Sequence, residues 1–206
     1  QFGYVPCNGL VYATPHPCDC FIDSKLNGVL ALAPKRVAPT HHAEPFETTR
    51  FIRGPAFTEK AVVSRERREP SSSDWLTHRH DPARSGSTST VVPKTLSQQW
   101  SAQVQGKPTG CVVGEGVVLV ASIDTHRVHA FDQTTGEPAW TVTLGGPMDS
   151  PPTIHDGTAL CGCLDGWVYC LRLSDGEQIW RFRAAPEERR IVAYGRLESA
   201  WPVHGG

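Results

Sequence analysis

The chain has 206 residues, 39% of them hydrophobic, with 20 basic and 21 acidic side chains and a formal net charge of −1 at neutral pH. This balance excludes the basic footprint of a nucleic-acid-binding protein. No apolar run approaches the roughly 18 residues of a membrane span, so we expect no transmembrane segment in this chain.

The first 36 residues contain two short apolar runs separated by a long loop. Each run begins with Asn-Gly and ends at a proline, at residues 8–15 and 27–34, which predicts two β-strands. The loop and its approach hold side chains that could form a disulfide staple, remain as thiols, or bind a metal ion. These side chains are Cys7, Cys18, Cys20, His16 and Asp19. Their spacing leaves the three alternatives open.

Residues 37–72 have the composition of a linker. They combine several prolines with a His-His pair, the charged run SRERREP and three consecutive serines. Segments of this kind bury too little apolar surface to form a core. We therefore expect a linker that joins an N-terminal unit, residues 1–36, to a C-terminal unit, residues 73–206.

The tryptophans mark an internal repeat. Trp100, Trp140 and Trp180 are 40 residues apart, and residues 115–140 align with residues 156–180. Each unit has a glycine turn, two apolar runs joined by a tight turn, a second glycine turn and a strand that carries the tryptophan. A fixed period of this length is typical of repeat architectures, in which one unit cannot bury its apolar face alone.

Each period has room for four strands, because residues 106–113 and 147–154 supply one more strand ahead of each glycine turn. Four strands in about 40 residues form the blade of a β-propeller. The predicted fold class is therefore all-β, a partial β-propeller built of four-stranded antiparallel blades. Residues 73–206 would hold two blades, and residues 199–206 repeat the start of a unit, as expected for a third blade that is truncated.

The second unit contains a cysteine pair whose relation depends on one turn. Asp165 and Gly166 have the composition of a two-residue hairpin turn. That register places Cys161 opposite Cys170, within reach of a disulfide. The first unit has small apolar residues at these two places, which favours buried thiols that act as small hydrophobic side chains.

The end of the first unit resembles the tryptophan-docking motif A-x-D-x-x-T-G-x-x-x-W of the pyrroloquinoline-quinone-type propellers. The matching residues are Ala130, Asp132, Thr135, Gly136 and Trp140. The second unit keeps Gly176 and Trp180. The family includes quinoprotein alcohol dehydrogenases and the lipoprotein propeller of the bacterial outer-membrane assembly machinery. Residues 74–86 resemble the outer strand that leads into the family's first blade, and residues 1–36 resemble part of a blade at the end of an upstream propeller. One continuous propeller with a long insertion is the competing layout.

The resemblance implies two functions of different class. Quinoprotein dehydrogenases hold pyrroloquinoline quinone and calcium with a disulfide between adjacent cysteines and with Glu and Asn ligands. This chain has no adjacent cysteines, and its asparagines, Asn8 and Asn27, lie outside the two clear units. We therefore expect a non-catalytic scaffold for a protein or polysaccharide partner, without catalytic, cofactor-binding or metal residues of its own. The alternative is a truncated quinoprotein alcohol dehydrogenase, with quinone and calcium as cofactors. The resemblance also implies a periplasmic or cell-envelope location, and the missing blades of a parent propeller as further partners.

Overall fold

The computed structural model describes residues 5–7, 10–13, 29–32, 50–58, 71 and 74–205, in which every regular element is a β-strand. The N-terminal strands are β1 (Val5–Cys7), β2 (Leu10–Ala13) and β3 (Leu30–Leu32), which form an antiparallel sheet in that order. The two predicted apolar runs thus supply β2 and β3, with Val11 opposite Leu32. Cys18 and Cys20 lie outside the described residues, as does the side chain of Cys7, so the staple and metal alternatives for this loop stay predictions.

One further strand, β4 (Phe51–Arg53), lies within the segment that composition predicts to be a linker. The prediction is wrong for these three residues, because they join the sheet of the second blade. Composition missed the strand because it is short and is flanked by arginines and a glycine, which give no strand signal.

The first blade is a four-stranded antiparallel sheet. Its strands are β5 (Pro108–Gly114), β6 (Val117–Ser122), β7 (Arg127–Asp132) and β8 (Pro138–Thr143), in chain order. Val, Leu and Phe side chains along β6 and β7 favour a pleated, buried surface. Glu115 and Gly116 turn the chain between β5 and β6 with φ angles of 51° and 85°, and positive values at both positions are typical of the tight hairpin turn that matches strand twist.

The second blade repeats the first and has an additional strand. It consists of β9 (Thr153–His155), β10 (Thr158–Gly162), β11 (Trp167–Arg172) and β12 (Gln178–Arg183), and β4 pairs with the outer side of β12. Asp156 and Gly157 repeat the tight turn, with φ angles of 44° and 68°. Trp140 and Trp180 lie on the equivalent strands β8 and β12. The prediction of an all-β chain made of four-stranded antiparallel blades is confirmed.

The two blades pack face to face around one buried cluster. Side chains of the first blade meet side chains of the second, including Leu119, Val128, Ile154, Cys161 and Leu171, all less than 3% exposed. Cα atoms of β5 and β9 come within 8 Å of each other, whereas none of β8 does so with β12 among the described strands. The sheets therefore converge at their first strands and diverge at their last, which is the wedge arrangement of neighbouring propeller blades.

Residues 74–77 lie at the converging inner edges. Trp75 exchanges backbone hydrogen bonds of 2.7 and 2.8 Å with Val113 of β5, and Ile154 of β9 donates its amide to the carbonyl oxygen of Leu76 at 2.8 Å. The resemblance predicted an outer strand for this stretch, which is wrong. The inner edge of β5 has no other strand of the blade beside it. Residues 74–77, here called the lead-in segment, hydrogen-bond some of the backbone groups along this edge.

The turn between β10 and β11 has three residues rather than the two that were predicted. Cys163 donates its amide to the carbonyl oxygen of Trp167, and Gly166 closes the turn with φ +90°. The register shifts by one residue, so Cys161 lies opposite Tyr169 and Cys170 lies opposite Leu160. Because strand side chains alternate between faces, Cys161 and Cys170 point to opposite sides of the sheet. The predicted direct pairing of these cysteines is therefore wrong.

A two-stranded hairpin, β13 (Arg190–Ala193) and β14 (Arg196–Ser199), follows the second blade. It lies ahead of the stretch predicted to begin a third unit. Its base is fixed to the second blade, because Ser199 donates its amide to the carbonyl oxygen of Leu164 at 2.7 Å. Beyond it, Val203 donates its amide to the carbonyl oxygen of Cys163 at 3.1 Å, so the chain returns to the side of β10.

Candidate functional site

The tryptophan of the complete motif joins the two blades. Trp140 projects from β8, and its Nε1 donates a hydrogen bond of 2.8 Å to the carbonyl oxygen of Leu173 in the second blade. A Cβ atom added to Gly176 would lie 2.6 Å from Cε3 of this indole. The ring therefore rests directly on glycine backbone, where any larger residue would collide with it.

The same contact occurs one period earlier. Trp100 Nε1 donates to the carbonyl oxygen of Gln133 at 3.1 Å, and a Cβ atom on Gly136 would lie 2.5 Å from the Trp100 ring. Trp180, the third of the series, lies beside Phe51, with 5.9 Å between ring centroids. The structure thus places Gly136, Trp140 and Gly176 in contacts that connect successive units.

The remaining motif residues shape the turn on which the indole rests. Asp132 Oδ1 accepts hydrogen bonds of 2.8 Å from the amides of Thr134 and Thr135. The Thr135 hydroxyl oxygen accepts one of 3.2 Å from the amide of Glu137. The amides of Thr135 and Thr134 stabilise the carboxylate and so hold the pKa of Asp132 below its ordinary value. Ala130 is fully buried opposite Trp140.

The second copy builds the same turn from different residues, with an arginine in place of the aspartate and an aspartate in place of the threonine. Arg172 replaces the aspartate, and its guanidinium bonds Asp175 at 2.9 and 2.6 Å and Glu177 at 2.6 Å. Asp175 also accepts the amide of Glu177 at 3.0 Å, as Thr135 does for its neighbour in the first copy. The bond from Arg172 lowers the pKa of Asp175. The departures from the motif are therefore mutually compensating and keep the turn in place.

A buried polar contact, which the sequence did not indicate, lies between the blades. The Tyr169 hydroxyl donates to Asp165 Oδ2 at 2.6 Å, and the other oxygen of Asp165 accepts the amide of Trp167 at 3.0 Å. A Cβ atom on Gly145 would lie 2.4 Å from Asp165 Oδ2, so the pair packs against the backbone that leaves the first blade. Burial, followed by the hydrogen bond and the charge of Asp165, raises the pKa of Tyr169. The pair is a structural contact between blades.

The second blade contains three buried cysteines. The structure records Cys111, Cys161, Cys163 and Cys170 as thiols, and the last three are buried. Burial raises the pKa of Cys161 to about 12 and raises that of Cys163 as well. A thiol with so high a pKa is a weak nucleophile and a poor metal ligand. These side chains therefore fill the core as small hydrophobic groups.

A cleft of about 360 Å³ lies where the lead-in segment meets the first turns of the two blades. Four carboxylates line it, together with two histidines: Asp74, Asp81, Glu115, Asp156, His80 and His155. The carboxylates already contact neighbouring groups, and Asp156 Oδ2 lies 3.5 Å from His155 Nε2. Asp74 accepts the amide of Ser71 at 3.0 Å, Glu115 that of Gly157 at 3.1 Å, and Asp81 both the hydroxyl and the amide of Ser85 at 2.6 and 2.9 Å.

The quinone and calcium that the resemblance raised as an alternative stay a prediction. The bonds from Ser85 lower the pKa of Asp81 and fix its carboxylate in its own turn. Within the described part of the chain, no group of three or more His, Cys, Asp or Glu side chains is arranged to hold a metal ion.

The hairpin of β13 and β14 has an unusual distribution of side chains. Val192, Tyr194 and Leu197 are 69%, 72% and 55% exposed, whereas Glu198 and Ser199 are buried. Val192 lies directly opposite Leu197, and the chain turns at Tyr194, so the three side chains form one outward apolar surface, the hairpin face. The alternating run RIVAYGRLES, with Tyr-Gly at its centre, could have revealed this hairpin.

The described part of the chain contains no helix long and apolar enough to cross a membrane. A family model described as "Outer membrane protein assembly factor BamB" matches residues 84–200. One curated relative, the outer membrane protein assembly factor BamB of Burkholderia pseudomallei (strain K96243), is 26% identical over 110 residues. That region is 52% of this chain and 29% of the relative, so the chain spans less than a third of the relative's length.

Solved structures give further likenesses. BamB from Moraxella catarrhalis is 18% identical with a TM-score of 0.40, over 52% of this chain and 37% of that chain. A europium-containing methanol dehydrogenase is 16% identical with a TM-score of 0.47, over 56% of this chain and 24% of that chain. A quinohemoprotein alcohol dehydrogenase from Comamonas testosteroni is 20% identical with a TM-score of 0.41, over 54% of this chain and 19% of that chain.

Proposed function

The chain belongs to the family of the outer membrane protein assembly factor BamB, and we propose that it is a non-catalytic propeller segment that holds a partner protein in the cell envelope. The family model covers more than half of the chain, from residue 84 to residue 200. The name of the family supports the envelope location and a role in assembly with other proteins. A scaffold needs a rigid frame and an exposed binding surface, and the docked blades supply the frame.

The hairpin face is the observation that carries this proposal. The hairpin buries Ala193 and Glu198 and leaves Val192, Tyr194 and Leu197 exposed. Contiguous exposed apolar side chains mark sites of protein contact, and aromatic residues at the centre of such a surface contribute much of the binding energy. The base of the hairpin is fixed to the turn between β10 and β11, because Ser199 donates its amide to the carbonyl oxygen of Leu164. A protein partner fits this apolar face better than a polysaccharide, whose hydroxyl groups need hydrogen-bonding side chains.

Site-specific photo-crosslinking of the full-length parent protein tests the proposal. A benzophenone amino acid at the position of Tyr194 should capture a protein from the envelope fraction, and Val192→Glu in the same chain should reduce the captured amount at least tenfold. The matched control is Val92→Glu, since Val92 is 68% exposed and lies outside the blades. Equal capture in the Val192→Glu and Val92→Glu proteins would contradict the assignment of the hairpin face.

The cofactor prediction has a separate test. We expect the chain to bind no pyrroloquinoline quinone, because it has no adjacent cysteines and no asparagine in the two blades. Titration of the full-length parent with quinone and calcium, followed by absorbance and a dye-linked alcohol assay, measures this directly. Stoichiometric binding with alcohol-dependent dye reduction would instead support the alternative, a segment of a quinoprotein dehydrogenase.

A further inference from the structure

The outer edge of the second blade is covered by a segment from far upstream in the chain. Residues 50–57, here called the edge segment, run antiparallel to β12, and Arg50 and Arg183 are 133 residues apart in sequence. The amide of Arg183 donates to the carbonyl oxygen of Arg50 at 2.7 Å. Among the described residues, the corresponding edge of the first blade has no such strand. The edge segment is therefore an addition to the repeat.

The edge segment fits β12 closely at two small residues. A Cβ atom on Gly54 would lie 2.1 Å from the carbonyl oxygen of Gln178, so only glycine can approach at this position. Ala56 is 6% exposed and packs with Cys170 and Ile179. Its amide donates to the carbonyl oxygen of Gln178 at 3.1 Å. The edge therefore selects a strand by shape as well as by backbone hydrogen bonds.

An aromatic residue forms the third point of recognition. The ring centroid of Phe51 lies 5.9 Å from that of Trp180 and 6.1 Å from that of Phe57. Trp180 is the repeat tryptophan of the second blade, so the edge segment covers the position from which Trp100 and Trp140 reach a following unit. This edge of the blade thus combines the Trp180 ring with backbone groups of β12 that the edge segment hydrogen-bonds.

The β-ladder between the edge segment and β12 is short, and Arg50 and Gly54 add hydrogen bonds at its two ends. The ladder spans three residue pairs, and among residues 50–58 only Ala56 is buried. Phe51 is 44% exposed. Short, exposed ladders of this kind open locally at far lower free energy than the whole domain. A competing strand can therefore displace the edge segment without unfolding of the blade.

We propose that the outer edge of β12 is a binding site for an extended strand of a partner protein, with the edge segment as its internal competitor. The partner strand carries an aromatic residue, a glycine three positions later and a small residue two positions after that, as Phe51, Gly54 and Ala56 do. Backbone hydrogen bonds supply affinity in this mode, and the alternate side chains supply selectivity. The site goes beyond the proposed function, because it lies on a different element from the hairpin face and its test does not involve that face.

A labelled peptide with the sequence of residues 50–58 tests the proposal on the full chain. Gly54→Val releases the edge segment in the protein and leaves β12 unchanged, and Pro55→Ser at an exposed position is the matched control. Fluorescence anisotropy should show at least tenfold tighter peptide binding to the Gly54→Val protein than to the wild-type or Pro55→Ser proteins. The peptide with valine in place of its glycine should bind none of them. Equal binding to all three proteins, or no binding to a Gly54→Val protein with wild-type circular dichroism, overturns the proposal.

A second measurement decides the question if the Gly54→Val protein does not fold. An excess of wild-type peptide with a benzophenone group in place of Phe51 is irradiated with the wild-type chain, and the products are mapped by mass spectrometry. The proposal requires crosslinks within β12, reduced at least fivefold for the glycine-to-valine peptide. Crosslinks distributed elsewhere, or the absence of any product on β12, contradict it.

Discussion

Replacing Gly176 by alanine tests whether the contact between the blades depends on bare glycine backbone. The residue has φ +76°, and its added Cβ atom would lie 2.6 Å from Cε3 of Trp140. The substitution therefore has two costs. Alanine must adopt a left-handed backbone conformation, and the indole must move away from the turn, which weakens its hydrogen bond to Leu173.

The two costs can be separated by substituting glycines that have both, one or neither of these properties. A left-handed conformation costs an L-residue roughly 1–2 kcal/mol, and overpacking a filled contact typically costs about 1–3 kcal/mol. We expect Gly176→Ala to lower the free energy of unfolding by about 2–5 kcal/mol. Gly116 has φ +85° with no heavy atom within 4 Å of its added Cβ, so Gly116→Ala should show only the first cost. Gly110 has neither property, and Gly110→Ala should fall within about 0.5 kcal/mol of wild type.

Equilibrium unfolding in urea, followed by far-UV circular dichroism, compares the three variants with the wild-type protein. Near-UV dichroism of the native proteins reports separately on whether the Trp140 indole has moved. The reasoning is refuted if Gly176→Ala is no more destabilising than Gly116→Ala. In that case the indole would be free to shift, and the glycine of the motif would be needed for its backbone conformation alone.

Three further outcomes are expected. Trp140→Phe keeps an aromatic ring on the glycine but loses the hydrogen bond to Leu173. It should lower the free energy of unfolding by about 1 kcal/mol in the same assay. An unchanged free energy would show that this bond does not contribute to stability. Cys161 should react with iodoacetamide at least tenfold more slowly than the exposed Cys111 in the native protein, because its pKa is about 12, and mass spectrometry should find equal rates for the two in urea. The pKa of Asp132 is lowered from 3.8 by its own turn, so its stabilising contribution is present above that pH and is lost as the pH falls through the folded-state value. The destabilisation by Asp132→Ala should therefore be seen at pH 7 and shrink below pH 3.8 in acid unfolding experiments, and a difference that persists in acid would contradict this.

The repeat could be predicted from the sequence because its signals are local and occur twice. The tight turns at Gly116 and Gly157 and the tryptophans on β8 and β12 recur at nearly the same spacing, and each apolar run has strand length. Agreement between turn chemistry, side-chain pattern and period is what specifies a fold. The sequence showed that Arg172 replaces the aspartate of the motif. It did not show that the turn survives this change, because the bonds between Arg172 and Asp175 appear only in the folded turn.

The turn between β10 and β11 and the pairing of β4 were not predicted correctly, because the neighbouring sequence does not determine either one. Asp165 and Gly166 fit either a two-residue or a three-residue turn, and a difference of one residue moves Cys161 from one partner to the next along the strand. The pairing of β4 with β12 joins residues more than a hundred positions apart, and no periodic pattern encodes a contact at that separation. Composition alone could not have found either feature.

Residues that recur in both repeat units have one physical role, and features that occur in only one unit have another. Gly136 and Gly176 support an indole in the same way in both units, and a contact that recurs with the period stabilises the stack of blades and nothing specific to one unit. The hairpin face and the edge segment occur once among the described residues. The hairpin exposes Val192 and Leu197, and the edge segment covers the outer edge of β12. Because neither feature recurs with the period, the stacking of the blades does not account for them, and the two proposed partner sites lie there.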